Sequence, residues 1–202
     1  KGDYDTTDAI HLADPSLHAK AQDYKRTLGG KMRAVSAQDI GRINASRGYI
    51  ATRKYDGEFS LVFFNGEKLI SVNPGGTVRL GLPCFQEAEK LLKAAKVKSC
   101  ILGGEIYMQA EQSKGLRIHQ VVSVLRNPKS EADMERLGLA IFDVAEVNGE
   151  KVESIKQVFQ LADKWFGKGK LVHPVEHVPT KKTDDILERM ADWVIDKGSE
   201  GI

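Results

Sequence analysis

Residues 51–72 read ATRKYDGEFSLVFFNGEKLISV, and this stretch decides the fold. Phe59 to Val72 forms two β-rich runs around Asn65-Gly66, a hairpin signal because both turn residues accept positive φ. Just ahead of it stand Lys54, Asp56 and Gly57, and alternation along an extended chain points Lys54 and Asp56 to one face. A lysine, an acid two places on and a glycine entering a strand also describe a plain surface turn, so the pattern alone assigns nothing.

Outward from the hairpin, the elements alternate without βαβ regularity. Phe85, Ala88, Leu91, Leu92 and Ala95 recur at helical spacing, while Ile101 to Met108, Val121 to Leu125 and Leu139 to Val147 read as strands. Asn148-Gly149 is a turn, and Ser154 with Gln157 gives a capping-box pattern for a helix carrying Val158, Phe159, Ala162 and Phe166. A last helix is capped by Thr183, favoured by Asp184 and Asp185 at its positive end, and closed by Lys197-Gly198; its inward stripe is Ile186, Met190, Trp193 and Val194. Hairpins with separated helices predict an α+β fold with mainly antiparallel sheets flanked by helices. Residues 1–46 are polar and mixed in charge, and read as a lead-in segment with one or two short helices; residues 47–202 read as the main domain.

The chain has 202 residues, 41% hydrophobic and 29% charged, enough for a real core and too apolar for wholesale disorder. Its apolar runs reach about four residues, against the ~20 that span a bilayer, so no membrane partner is expected. The chain opens on Lys1 with no basic and apolar leader, so no signal peptide is expected and the translation start is expected elsewhere. A net charge of +2 does not by itself announce nucleic acid. Cys84 and Cys100 form no CxxC and suggest buried thiols in a reducing cytoplasm, a disulfide being the weaker alternative.

Phosphate-loop motifs are absent from the sequence: there is no GxxxxGK[ST], and no GxGxxG follows a strand. Gly75-Gly76 and Gly167-Lys168-Gly169 read as turns. His173 and His177 stand four apart, but Pro174 between them breaks a helix, and surface histidines beside a strand are the better reading. A lysine nucleophile must shed its proton, which a cation such as Arg53 nearby would favour.

What lifts Lys54 above a surface turn is company in order. KYDG at Lys54 is followed by LGGEIY at Leu102 to Tyr107, AIFDVAEVNGE at Ala140 to Glu150, and SEGI at Ser199 to Ile202. This resembles the covalent nucleotidyltransferase superfamily, and within it the adenylation domain of ATP-dependent DNA ligases, a nucleotidyltransferase core. The segments match motifs I, III, IIIa and IV, over about residues 47–202. IHQVVSVLRNP, VFQLADKWF and LVHPVEHV resemble the family's connecting segments.

The resemblance implies that Lys54 attacks the α-phosphate of ATP to give a lysine–AMP adduct. AMP then passes to the 5′-phosphate of a nick in double-stranded DNA, and the 3′-OH seals the strand. Glu105 matches the motif III acid at the ribose and metal site, and Glu200 the motif IV acid near the phosphates and Mg²⁺. Phe142 matches the aromatic that stacks on adenine, Thr52 a position that reads the adenine edge, and Arg53 is placed with them around the nucleotide. Asp56 is implied near the reacting phosphates or the nick.

Two departures accompany the match. The pattern is usually KxDGxR, and Phe59 stands at the arginine position, with Arg79 and Arg53 as candidate substitutes. The chain ends at Ile202, before the lysines of motif V and the OB-fold domain, so an incomplete core that adenylates weakly or not at all is expected. An RNA ligase, a capping-type guanylyl-transferring relative and a non-catalytic nucleotide-binding relative stay open beside the DNA ligase. Arg117, Arg126 and Lys129 are candidate backbone contacts to nucleic acid. The compartment expected is the cytoplasm, or the nucleus or nucleoid where the DNA lies.

Overall fold

The computed structural model describes residues 6–8, 15–32, 34, 38–43, 48–109, 118–127 and 129–202. Its strands are β1 (Thr6–Asp8), β2 (Ile50–Thr52), β3 (Glu58–Phe64), β4 (Leu69–Val72), β5 (Thr77–Leu80), β6 (Cys100–Met108), β7 (Leu137–Val147), β8 (Glu150–Lys151), β9 (Val172–Pro174) and β10 (His177–Pro179). The helices are α1 (Ser16–Leu28), α2 (Pro83–Ala94), α3 (Ile118–Arg126), α4 (Glu131–Glu135), α5 (Ile155–Phe166) and α6 (Thr183–Met190).

The hairpin sits at the centre of the main sheet, whose order is β1-β5-β4-β3-β6-β7-β8, with β9 added parallel to β7. The other pairings are antiparallel, and a small sheet pairs β2 with β10. Successive side chains of β3 point to opposite faces and define two layers. Val62 and Phe64 join the large core with α2 and α5, through Phe85, Leu92, Val158 and Phe166. Leu61 and Phe63 point the other way, where Ala21, Leu17 and Tyr24 of α1 pack on them with Val72 and Val78. The lead-in segment thus contributes an edge strand and a helix that covers one face of the sheet.

Several local expectations are refined. The β3–β4 connection spans Asn65 to Lys68 rather than two residues: Gly66 alone takes positive φ (95°), while the Asn65 side-chain oxygen accepts the N–H groups of Glu67 and Lys68. At Asn148-Gly149 both residues do take positive φ, 52° and 87°, closing β7 onto β8. Val121 to Leu125, expected as a strand, lies in α3. Its β-branched composition suggested strand, but Val121 and Leu125 stand one helical turn apart and both are buried. Ser154 stands at the N-cap of α5 without a side-chain cap bond, and α6 begins at Thr183 itself, so Lys182 occupies the cap. Asp185 closes that end by accepting the N–H groups of Lys181 and Lys182. After α6 the chain widens into a π-helical turn, Ala191–Asp196, which buries Trp193, and Gly198 (φ 66°) ends it. Cys84 and Cys100 are free, buried thiols. No described helix is long and apolar enough to cross a membrane.

Candidate active site

The glycines of LGGEIY explain how the sheet makes room for a site. Opposite β6, the register runs from Gly103 with Asp143 to Gly104 with Ile141, leaving Phe142 as the extra residue of a β-bulge. A bulge re-aims a side chain, and here it turns the Phe142 ring over Gly103. A Cβ on Gly103 would lie 2.6 Å from that ring and would also collide with the Tyr24 hydroxyl, so a side chain there would push both rings aside. Gly57 meets the same demand: its Cβ would strike the Ile106 carbonyl.

Around this face lies a cavity of about 990 Å³, walled by α1, β2, the segment after it, β6 and β7. Thr52, Arg53, Lys54, Glu105 and Phe142 line it. Lys54 is held by a two-residue bridge in which its N–H donates to the Gly201 carbonyl at 2.9 Å, and its ammonium pairs with Glu200. Lysine and glutamate are thereby joined across 146 residues of sequence.

Arg53 supports that junction. Its guanidinium, almost wholly buried, donates to Ser199 Oγ and Glu176 Oε1, each at 2.5 Å, and lies over the Tyr55 ring with Cζ 4.8 Å from the centroid. Lys197 reaches the other Glu176 oxygen at 2.8 Å. Burial would raise the Glu176 carboxyl, but the hydrogen bonds from Lys197 and Arg53 outweigh it and hold the group below its ordinary range. Arg53 therefore fastens the chain before Lys54 to the chain before Glu200, and its charge is already met.

Glu105 stands on β6 directly opposite Phe59. Burial raises its carboxyl to about 7; the attraction of Lys54 and Lys25 and a hydrogen bond from the Gly57 N–H oppose the rise, and Glu200 adds to it. Glu105 lines the cavity and Glu200 meets it through the Lys54 ammonium; two carboxylates that repel one another suit a small hard cation, which needs only one or two protein oxygens besides its water and phosphate ligands. Glu105 and Glu200 fit such a role by donor type.

The other expected positions separate. Thr52 faces the cavity from β2, in register with His177. Asp56 turns to the first turn of α3, where its Oδ1 accepts the Ile118 N–H at 3.4 Å. Arg79, a candidate for the missing arginine, is buried on β5 with its guanidinium forked onto both Glu58 oxygens, at 2.5 and 2.8 Å. His173 and His177 are half-buried: His173 meets the Tyr107 hydroxyl, and His177 stacks on Phe159 with centroids 4.2 Å apart. Arg126 and Lys129 are exposed, and Arg117 lies outside the described residues.

Residues of the lead-in complete the wall. Tyr24 donates to Asp143 Oδ2 at 2.6 Å, and burial, then the adjacent carboxylate, push its phenol far above the ordinary range. Lys31 pairs with the same oxygen at 3.2 Å. The rings of Tyr24, Phe59 and Phe142 form a stepped series, with centroids 6.1 and 5.9 Å apart, and the Lys25 ammonium lies 4.2 Å from the Phe59 centroid. Tyr24, Lys25 and Lys31 were missed in the motif reading. Their signal was the helical spacing of Leu17, Ala21, Tyr24 and Leu28.

This bulged antiparallel sheet, which presents Lys54, Glu105 and Phe142 to one cavity with Glu200 paired to Lys54, has the fold of a ligase adenylation domain. The chain belongs to the ATP-dependent DNA ligase domain family, whose model matches residues 31–202. Among solved structures, one from a structure–function study of Lig E DNA ligases, described as binding DNA with a minimal scaffold, is similar at a TM-score of 0.56 and 14% identity, covering 84% of this chain and 57% of that one. Another, Pmar-Lig_Pre, is similar at a TM-score of 0.62 and 16% identity, covering 89% and 45%. The chain thus spans about half the length of these structures. No curated protein matches it.

Proposed function

We propose that this chain activates ATP for the sealing of nicked DNA, with Lys54 as the nucleophile. The Lys54 amine, having given up a proton, attacks the α-phosphorus; a P–N bond forms, the bond to the bridging oxygen breaks, and pyrophosphate leaves. A 5′-phosphate oxygen at the nick then attacks the adenylate phosphorus and releases the lysine. Finally the 3′-OH attacks the activated 5′-phosphate, forming the phosphodiester and expelling AMP. Each step is an in-line displacement in which positioning and charge neutralisation carry the rate.

In this reading Phe142 supplies a stacking face for adenine, Thr52 and Arg53 shape the nucleotide wall, and Asp56 lies towards the nick. Glu105 and Glu200 would hold Mg²⁺, which supplies Lewis-acid neutralisation of the phosphate oxygens. The Lys54–Glu200 pair opens when the triphosphate enters, freeing the amine. An OB-fold domain of the same protein would close over the duplex. The observation that carries the reading is the convergence of Lys54, Glu105 and Phe142 on one cavity from three separate stretches of chain, with Glu200 of a fourth stretch paired to the Lys54 ammonium.

Incubation with ATP labelled at the α-phosphate and Mg²⁺, followed by peptide mapping, is expected to find AMP on Lys54. Label that persists in Lys54→Ala sinks the assignment. Nicked DNA and nicked RNA duplexes offered to the adenylated protein should separate the substrates, with DNA sealed.

A further inference from the structure

The cations of the cavity wall are not equivalent. Lys31 pairs with Asp143, Arg42 with Asp39, Arg53 with Glu176 and Lys54 with Glu200. Lys25 differs: among the described residues no carboxylate pairs with it, and its ammonium rests on the face of Phe59 at 4.2 Å. An ammonium over a ring is attracted by the ring's quadrupole while its N–H donors stay directed outward. A cavity wall that leaves one cation out of a close ion pair, under only the longer-range attraction of Glu105, keeps it available for an anion.

The backbone that carries Lys25 is fixed. Ala21, one turn earlier, is fully buried against the sheet, the neighbouring Tyr24 is tied to Asp143 at 2.6 Å, and His18 Nε2 lies 3.1 Å from the Pro74 carbonyl. Phe59 itself is fixed opposite Glu105 by the β3–β6 register, with Phe142 stacked 5.9 Å away. A rigid helix therefore delivers one positive charge above a ring that has none, beside the residues assigned to the nucleotide. Phe59 cannot donate a hydrogen bond, so any cationic contact at this place must come from another element, and α1 provides it.

We propose that Lys25 is a nucleotide-binding residue of this cavity, its ammonium contacting the phosphate chain of ATP from above Phe59. The inference rests on the nucleotide reading given above and adds a contact from outside the motif segments. Lys25 is solvent-exposed, so its replacement leaves the core untouched.

Calorimetric titration of the chain with ATP, and separately with adenosine, tests this in wild type, Lys25→Met and Lys25→Glu. Lys25→Met is expected to weaken ATP about tenfold, the usual scale of a lost charge-assisted contact. Lys25→Glu should weaken it further, and both should leave adenosine within about twofold. Unchanged ATP affinity in Lys25→Met overturns the inference, as does an equal loss for ATP and adenosine, which marks a role in shaping the wall. A loss confined to nicked DNA, with ATP unaffected, overturns it too. Wild-type chain that binds neither ATP nor adenosine overturns the nucleotide reading itself.

Discussion

Glu105 is a carboxylic acid built into a sheet between two lysines, and burial wins the contest over its proton. Its carboxyl rises from 4.5 to about 7. Because the folded value lies above the unfolded one, the folded state binds the proton more tightly. Stability is therefore undiminished below about pH 4.5, falls as pH rises to about 7, and stays reduced above it. The metal-free protein should lose about 3 kcal/mol across this window through Glu105, a loss that Glu105→Gln flattens. Urea unfolding at several pH values checks this; a variant with the wild-type slope would remove Glu105 from the account. At this scale Lys54, Glu105, Phe142 and Glu200 were legible from the motifs because each motif is local in sequence. Glu176, Lys197 and Lys25 were not. Ion pairs across a fold leave no periodic trace, and a lysine above a ring has none at all.

At the scale of elements, the loop into β9 is held by one side chain from α2. Glu87 accepts the N–H groups of Lys170, Leu171 and Val172, at 2.6 to 3.1 Å. Backbone donors that lose a charged acceptor on a partly buried edge cost heavily. Glu87→Ala is expected to lower stability by about 2–3 kcal/mol, and Glu87→Gln by less; chemical denaturation measures both. If Glu87→Ala unfolds like wild type, the loop is held by the β7–β9 pairing and by Gln109, which donates to the Lys170 carbonyl. Helices with a strong apolar stripe, α2 and α5, were readable from spacing, as was the β3–β4 hairpin. The α3 helix was not, because Val121, Val122 and Val124 favour strand by composition while their spacing favours helix. The bulge at Phe142 was equally hidden, since an extra residue in a ladder shows only once the partner strand is known.

Over the whole molecule, the antiparallel α+β architecture followed from hairpin signals and from helices without βαβ order. The place of the first 46 residues did not, because polar composition hides the sparse stripe by which α1 covers the sheet. The junction of Lys54 with Gly201 has a kinetic meaning. The β3–β4 and β4–β5 pairs join neighbours in sequence, whereas this bridge closes a span of about the whole domain with a single backbone rung, backed by the Lys54–Glu200 and Arg53–Ser199 side-chain contacts. Loop closure of that length carries an entropic debt on the order of 4 kcal/mol in an unstructured chain, so the rung forms after the sheet and opens before it. Hydrogen exchange should find the Lys54 amide protected by a smaller opening free energy than Leu102 or Val62 in the β3–β6 ladder. Equal protection would make the bridge part of the global unfolding unit. With early opening, the proposed nucleophile Lys54 is the last part of this domain to be finished in folding and the first to be undone by heat, so the activity proposed for it would fade while the fold still stands.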